Sequence, residues 1–227
     1  MTRHPDPKLP AHQLTIAWQA ASLLLDYPDG GLVSRLRLIH QAAAELPSPV
    51  GDPLRSTAHA LASEDLSALQ QMYVDTFDNR RRHNLYLTYF AHGDTRRRGV
   101  ALLRFKQTYL RSGFVLDESE LPDHLCVVLE YGATVDQRLG WRLLLDHRAG
   151  LELLRLALAE AGSAWHGAVQ AVTATLPPLG GDELAAIDRL AAEGPPQEEV
   201  GLTPYTTPAF DPATQPLPMP TFPGARR

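Results

Sequence analysis

The chain of 227 residues contains a single cysteine, Cys126. One cysteine excludes a disulfide within the chain and fits a protein of a reducing compartment. Long hydrophobic runs are also missing, since no apolar stretch approaches the roughly 20 residues that a bilayer-spanning helix needs. The first eight residues, MTRHPDPK, lack the apolar segment of a secretory signal. We therefore expect a soluble, cytoplasmic protein that does not insert into a membrane.

Motifs of enzymes and metal sites are absent as well. The chain has nine histidines, but no two of them stand four residues apart, and none joins an acid in a known ligand motif. There is no glycine-rich phosphate loop and no nucleophile elbow. Cys126 lies in an apolar segment, which is typical of a small core residue. We predict no catalytic residue, no bound metal and no enzymatic activity.

No segment shows the alternating pattern of a β-strand, whereas apolar residues recur at helical spacing along most of the chain. The sequence therefore predicts an all-α bundle of eight or nine helices over residues 1–193. From residue 194 onward, nine prolines fall within 34 residues. Such a segment buries too little apolar surface to offset its ordering entropy, so we expect residues 194–227 to form a disordered tail. The helices are predicted at residues 13–26, 30–46, 52–62, 63–77, 94–112, 122–132, 139–161, 163–176 and 182–192.

Charge is strongly segregated in the middle of the sequence. Residues 80–111 contain nine basic residues and one acid, Asp94, whereas residues 117–123 are acidic and contain no base. In the helix that Asp94 should cap, the predicted apolar arc holds Leu102, Leu103, Phe105, Tyr109 and Leu110. Arg98 and Lys106 fall within or beside this arc. We predict that Arg98 contacts the acidic stretch, although a solvated basic face remains an alternative. The run could also neutralise nucleic-acid phosphates, but no nucleic-acid-binding signature accompanies it.

A second candidate region follows the acidic stretch. Pro122 is predicted to open a helix, with Asp123 in its first turn. His124 would then point inward or into a groove, and the helix N-terminus would favour its neutral form. Large aromatic rings upstream favour binding of an amphipathic peptide, although each could equally fill the core. These rings belong to Tyr73, Phe77, Tyr86, Tyr89 and Phe90.

Five segments in this order resemble the NarJ family, the assembly chaperones of respiratory nitrate reductase within the wider TorD/DmsD-like group. The resemblance is specific over residues 66–135. Its segments are residues 73–78, 84–89, 93–99, 105–109 and 120–125, which read YVDTFD, NLYLTY, GDTRRRG, FKQTY and ELPDHL.

The resemblance implies a chaperone of nitrate assimilation that binds the N-terminal segment of the apo catalytic subunit. It implies no stably bound cofactor, but assistance in inserting the molybdenum bis-guanine-dinucleotide cofactor into the client. Proteins of molybdenum cofactor biosynthesis are further expected partners. Alternatives are a chaperone for the leader peptide of another molybdoenzyme, or a helical protein whose basic patch binds nucleic acid.

In the family, the Pro-Asp-His step is linked to recognition of the leader peptide. Carried over, this points to Asp123 and His124, with Leu121 and Pro122 shaping the site. We hypothesise that the client lies in a groove between the helix of Tyr73 and Phe77 and the helix at Pro122. Asp123 would pair with a client cation. The predicted peptide-binding residues are Leu121, Pro122, Asp123, His124, Tyr73, Phe77, Tyr86, Arg98 and Lys106.

Overall fold

The computed structural model describes residues 7–117 and 120–194. The regular structure of these residues is helical, and the one pairing of extended backbone among them is an isolated antiparallel bridge between Tyr86 and His124. The all-α prediction is confirmed. The α-helices are α1 (Ala11–Leu25), α2 (Leu32–Ala43), α3 (Ser48–Ala62), α4 (Leu66–Tyr73), α5 (Tyr89–His92), α6 (Arg96–Arg111), α7 (Leu125–Thr134), α8 (Gln137–Asp146), α9 (Arg148–Glu160), α10 (His166–Thr175) and α11 (Gly181–Glu193).

The helix α1 lies at the centre of the bundle. It packs against α7, α10, α2 and α3. Leu14, Trp18 and Leu25 lie on one side of α1 and have no exposed surface, and Ala20 and Leu24 on another side are also buried, so α1 is buried on more than one side. The indole of Trp18 donates a hydrogen bond to Thr175 Oγ1 on α10 at 3.1 Å, and its ring stacks on that of Trp141 on α8. Burial of this size stabilises a fold by about 1.5–3 kcal/mol per large side chain.

The helices α7 and α8 approach each other closely at two glycines. A Cβ atom at Gly140 would lie 2.5 Å from Cα of Gly132, and a Cβ atom at Gly132 would lie 2.7 Å from the ring of Trp18. No larger residue fits without movement of the backbone or of the buried indole.

Several helix starts differ from the sequence prediction. The third helix begins at Ser48, not at Asp52, because Pro47 and Pro49 already favour a helix start there. Asp52 instead bonds Ser48 and Arg55 within that helix. The fourth helix is capped by Asp65, whose carboxylate accepts a hydrogen bond from the Ala68 amide at 2.8 Å.

The helix ends were predicted more accurately at two glycines. Gly113 and Gly162 adopt φ values of 73° and 61° after α6 and α9, a conformation that glycine adopts without steric cost. Residues 74–78 extend α4 as a π-helical turn, and a 3-10 turn spans Arg81–His83. The predicted connection at residues 79–91 is thus largely irregular, with a short helix at its end.

Two helices replace the single long helix predicted over residues 139–161. The break lies at His147, whose backbone angles of −115° and 21° leave the helical region. Its ring Nδ1 lies 2.8 Å from the Leu143 carbonyl, and the ring packs against Phe105 of α6. Leucine periodicity continues across the break, so the sequence pattern does not reveal it.

The helix α6 begins after Thr95, not after the predicted cap Asp94. Its buried residues are Ala101, Phe105 and Tyr109, whereas Leu103 and Leu110 are exposed. The predicted apolar arc was therefore wrong at these two leucines, because apolar residues occur on both sides of this helix and the contact with the core selects the aromatic side.

Two other predictions concern the ends of the chain and membrane insertion. Within the described ranges, no helix is both long and apolar enough to cross a membrane. The tail is predicted over residues 194–227, and from position 195 onward it lies outside the described residues. The boundary between the helical domain and the tail after residue 193 therefore stays a prediction.

We expect Gly140→Ala to lower the free energy of unfolding by about 1–3 kcal/mol, because the added methyl group overpacks the α7–α8 contact. Gly99→Ala on α6 is the matched control, since a Cβ atom there meets nothing within 4 Å. In that helix interior, alanine should stabilise by about 0.5–1 kcal/mol. Urea denaturation measures both changes. Equal effects of the two substitutions would contradict the close approach at Gly140.

Candidate functional site

Two segments far apart in the sequence meet in a short antiparallel pairing. The Leu87 amide donates to the Asp123 carbonyl at 3.0 Å, and the Leu125 amide donates to the Leu85 carbonyl at 2.9 Å. This pairing places Tyr86 beside His124. Two of the segments that carry the family resemblance therefore form one site.

Asp123 lies at the buried centre of this site, with no exposed surface. Its Oδ2 atom accepts hydrogen bonds from the Thr88 amide, at 3.2 Å, and from the Thr88 hydroxyl. A carboxylate removed from water needs such donors, because an unpaired buried charge is costly. Thr88 is also fully buried, so it serves as the main hydrogen-bond partner of Asp123.

Arg98 supplies the positive charge that faces Asp123. Its Nη2 atom lies 3.7 Å from Asp123 Oδ2, Nη1 lies 3.2 Å from the exposed carboxylate of Asp94, and Nε donates to Thr88 Oγ1 at 3.3 Å. The guanidinium also lies over the ring of Tyr86, 5.1 Å from its centroid, in a cation–π contact. The predicted contact between Arg98 and the acidic stretch is thus present.

The network around Arg98 and Asp123 is incomplete. Among the described residues, Arg98 Nη2 and Asp123 Oδ1 are buried and have no hydrogen-bond partner. The 3.7 Å separation of the pair is too long for a hydrogen bond, so the attraction is electrostatic. One donor and one acceptor therefore remain unused beside the ring of Tyr86.

His124 and Tyr86 form the aromatic part of the site. Their ring centroids lie 5.2 Å apart in an edge-to-face arrangement, and both residues are half-buried. Burial lowers the pKa of His124, against the opposing charges of Asp123 and Asp26. The neutral form is therefore favoured, as predicted, but the cause is burial and His124 precedes α7 as its N-cap residue. Burial and the charge of Asp123 raise the pKa of Tyr86.

Pro122 and Asp123 form a turn before α7 and do not open that helix. The hydroxyl of Tyr109 on α6 donates to the Pro122 carbonyl at 2.6 Å and so fixes the turn on α6. Leu121, the residue before the turn, keeps 40% of its surface exposed. The turn therefore carries an exposed aliphatic side chain two residues before Asp123.

The remaining predicted site residues lie elsewhere. Tyr73 and Phe77 are core residues, with 7% and 8% of their surfaces exposed, and both pack edge-on against Trp165. The Tyr73 hydroxyl donates to the Leu25 carbonyl at 3.0 Å. The two rings therefore do not line an open groove here. Lys106 is exposed on α6, about two helical turns after Arg98.

Asp123 is too deeply buried to contact a client cation in this conformation. Its role in the structure is to hold Arg98, which in turn covers Tyr86. Thr88, which was not singled out from the sequence, is as central as Asp123. In the sequence, Thr88 is distinguished only by its position in the NLYLTY segment. That position does not predict a hydrogen bond to Asp123, which lies 35 residues away.

A separate hollow of about 420 Å³ lies between α2, α3 and α4. Its floor is apolar, and its rim carries charged and imidazole side chains. Helical periodicity in the sequence does not reveal this hollow. Its lining comes from three helices, each of which shows only the usual amphipathic pattern of a surface helix. The floor includes Leu32, Leu36, Leu61 and Leu69, and the rim includes Asp29, Arg37, His40, His59 and Glu64.

No group of three or more histidine, cysteine or acidic side chains suited to hold a metal ion occurs in the part of the chain that the structure describes. Cys126 is half-buried by its surface, and burial of the thiol raises its pKa. The thiolate, which is the nucleophilic form, is therefore disfavoured.

We expect Thr88→Val to lower the free energy of unfolding by about 1–3 kcal/mol, because it removes the hydroxyl between Asp123 and Arg98 and leaves buried charge underpaired. Thr134→Val is the matched control, since the Thr134 hydroxyl is exposed and bonds only its own helix. The control should change stability by less than about 0.5 kcal/mol. Thermal or urea unfolding distinguishes the two, and equal changes would argue against the network.

Stability should also depend on pH through His124. A histidine whose folded pKa is lowered binds a proton more readily in the unfolded chain, so its contribution to stability is present above the unfolded pKa of about 6.5 and is lost as the pH falls. We expect His124→Gln to reduce the loss of unfolding free energy between about pH 7.5 and pH 5.5. His59→Gln, at an exposed histidine, should leave this loss unchanged. An unchanged pH profile in His124→Gln would contradict the prediction.

Comparisons with known proteins support the resemblance seen in the sequence. The sequence profile of the family described as "Nitrate reductase delta subunit" matches residues 43–171, which is more than half of the chain. Over 160 residues the chain is 41% identical to the "Nitrate reductase-like protein NarX" of Mycobacterium tuberculosis. That match covers 70% of this chain and 24% of the relative. The chain therefore spans about a quarter of the length of this relative.

Two assembly chaperones are also similar. The chain is 38% identical over 122 residues to the "Probable nitrate reductase molybdenum cofactor assembly chaperone NarJ" of Bacillus subtilis, covering 53% of this chain and 66% of the relative. It is 33% identical over 145 residues to the "Nitrate reductase molybdenum cofactor assembly chaperone NarJ" of Escherichia coli K12, covering 63% and 61%.

A solved structure shows the same fold. It is the crystal structure of a proposed redox enzyme maturation protein from Archaeoglobus fulgidus, with a TM-score of 0.51 and 24% identity. The likeness covers 70% of this chain and 91% of the solved chain. Fold, segment order and sequence profile agree, and the chain belongs to the nitrate reductase delta subunit family, which includes the NarJ chaperones.

Proposed function

We propose that this chain is an assembly chaperone of nitrate reductase, which binds the N-terminal segment of the apo catalytic subunit and keeps it available while the molybdenum bis-guanine-dinucleotide cofactor is inserted. The observation that carries this proposal is the family match over residues 43–171, because both segments of the candidate site lie inside it. The relatives named as molybdenum cofactor assembly chaperones support the same role.

The geometry of the site suits an amphipathic peptide. Leu121 offers an exposed aliphatic surface, and its carbonyl accepts a hydrogen bond from the amide of His124 at 3.1 Å. The rings of Tyr86 and His124 are half-buried and contact each other. Rings of this kind add contact area at low entropic cost and pair apolar surface with a polar edge. Arg98 lies beside them and carries the charge that would orient a carbonyl or carboxylate of the client.

Asp123 acts indirectly in this proposal. It holds Arg98 through charge and Thr88 through hydrogen bonds, and it has no surface that a peptide could contact. Asp123→Ala would leave Arg98 and Thr88 with unpaired buried groups, so loss of binding in that variant would be accompanied by loss of stability. Asp123 is therefore a positioning residue, and tests of binding need exposed positions.

The chaperone role requires no catalytic group, which agrees with the buried thiol of Cys126. One member of the basic run is already engaged inside the protein, since Arg98 faces Asp123. Arg82 pairs with Glu160 at 3.2 Å at the surface, where the two side chains are 73% and 71% exposed. The inward position of Arg98 weakens the alternative that the whole run binds nucleic acid.

The proposal can be tested by calorimetric titration. The full chain is titrated with a synthetic peptide from the N-terminus of a nitrate reductase catalytic subunit. We expect saturable binding with a negative change in heat capacity, which indicates burial of apolar surface, and no binding of a scrambled peptide. Peptides from the leaders of other molybdoenzymes identify the client. Equal binding of the scrambled peptide would overturn the proposal.

We expect Leu121→Ser to weaken binding of the client peptide by about tenfold, because an exposed aliphatic contact is lost. Leu184→Ser on α11 is the matched control, since Leu184 has a similar exposed fraction, 49% against 40%. Both variants should unfold at nearly the wild-type temperature. If Leu184→Ser weakened binding as much as Leu121→Ser, the assignment of the site would fail.

A further inference from the structure

The helix α6 has two faces of different character. Its inner face packs on the core through Ala101, Phe105 and Tyr109. Its outer face exposes aliphatic side chains, and Val115, which follows the helix, is exposed as well. The exposed fractions are 57% for Val100, 57% for Leu103, 61% for Leu110 and 77% for Val115.

The aliphatic residues of α6 form a stripe. At 100° per residue, Val100, Leu103 and Leu110 fall within an arc of about 80°. The same arc also holds the exposed side chains of Arg96 and Gln107, so polar groups interrupt the aliphatic surface. The surface near the start of the stripe is open, because a Cβ atom added at Gly99 would meet nothing within 4 Å. A stripe of exposed aliphatic residues on one helix differs from isolated surface leucines and marks an interaction surface.

Cations border this stripe on both sides. Arg97, Arg104 and Arg111 are exposed along one side, and Lys106 is exposed along the other. The sequence of α6, RRRGVALLRFKQTYLR, contains no acid. The whole chain carries a net charge of −5, but charges beyond about 8–10 Å are screened at physiological salt, so the local charge decides the attraction.

We propose that the outer face of α6 binds the surface of a membrane that contains anionic lipid. The helix would lie parallel to the interface, with Val100, Leu103 and Leu110 at the boundary of the acyl chains. The long side chains of Arg104 and Arg111 would reach the lipid phosphates from one edge of the stripe, and Lys106 would do so from the other. The complementary charge of an anionic leaflet selects this partner.

The arrangement favours lipid over other anionic partners. A helix that exposes aliphatic residues with cations beside them matches a flat boundary between apolar and charged layers. A nucleic acid would use the arginines but would leave the aliphatic stripe in contact with a polar backbone. An acidic protein would need an apolar groove of its own to cover the stripe. The experiments below therefore include binding to an acidic polypeptide as an alternative result.

Membrane contact leaves the candidate site accessible. Arg98 lies about 160° around α6 from Val100, on the side that faces Tyr86 and Asp123. One helix therefore separates the proposed lipid surface from the proposed client site, and both can be occupied at once. The lipid proposal does not depend on the identity of the client.

Vesicle flotation of the full chain tests the proposal. We expect the protein to float with phosphatidylcholine vesicles that contain about 30 mol% phosphatidylglycerol and not with pure phosphatidylcholine vesicles. Binding should decrease strongly when salt is raised to about 0.5 M, because the attraction to phosphates is screened. Failure to float with the anionic vesicles at low salt would overturn the proposal.

Variants at exposed positions assign the surface. We expect the double variant R104Q/R111Q to lower the partition coefficient about 25-fold, from about fivefold for each cation near the lipid surface. L103Q/L110Q should lower it at least tenfold through the loss of apolar contact. The matched controls are Leu38→Gln, which is 61% exposed like Leu110, and Arg138→Gln, at an exposed arginine of α8. Neither control should change the partition coefficient.

A fluorescent variant reports insertion directly. The native tryptophans, Trp18, Trp141 and Trp165, are buried, so Leu103→Trp adds an exposed reporter. Its emission should shift to shorter wavelength on anionic vesicles, whereas Leu38→Trp should show no shift. The proposal would be overturned if R104Q/R111Q lowered vesicle binding while L103Q/L110Q left it unchanged and Leu103→Trp showed no spectral shift. Stronger binding to RNA or to an acidic polypeptide than to vesicles would also overturn it.

Discussion

The carboxylate of Asp123 is the constraint on which the site depends. A buried charge requires donors, and here they come from Thr88, 35 residues away, and from Arg98 on α6. Satisfying Asp123 therefore brings three segments together: residues 84–88, the start of α6 and the turn before α7. The short backbone pairing of Tyr86 and His124 follows from the same juxtaposition, as does the position of Leu121 at the surface.

The same constraint divides the basic run into two groups. Arg98 turns inward to Asp123 and covers the ring of Tyr86, while Arg104 and Arg111 remain outside with the aliphatic stripe of α6. Charge that appears as one patch in the sequence thus serves two purposes in the fold. One arginine stabilises and orients a buried site, and the others give an exposed helix its affinity for anionic surfaces.

Much of the fold and part of the site could be predicted from the sequence. Helical periodicity indicated the bundle, glycines 113 and 162 marked helix ends, and the contact of Arg98 with the acidic stretch followed from charge segregation. The predictions failed where local patterns allow more than one answer. Leucines continue across the break at His147, and α6 carries apolar residues on both sides, so the arc that included Leu103 and Leu110 was chosen wrongly.

The sequence by itself determined the fold class and the family, because helix periodicity and short motifs are local and survive without knowledge of contacts. Only the tertiary structure decided which residues carry the site. Tyr73 and Phe77 became core rings against Trp165, Asp123 became an internal partner, and Thr88 emerged as the residue that joins Asp123 to Arg98. The physical reason is that burial and the pairing of a buried charge depend on segments that are distant along the chain and are brought together only by packing.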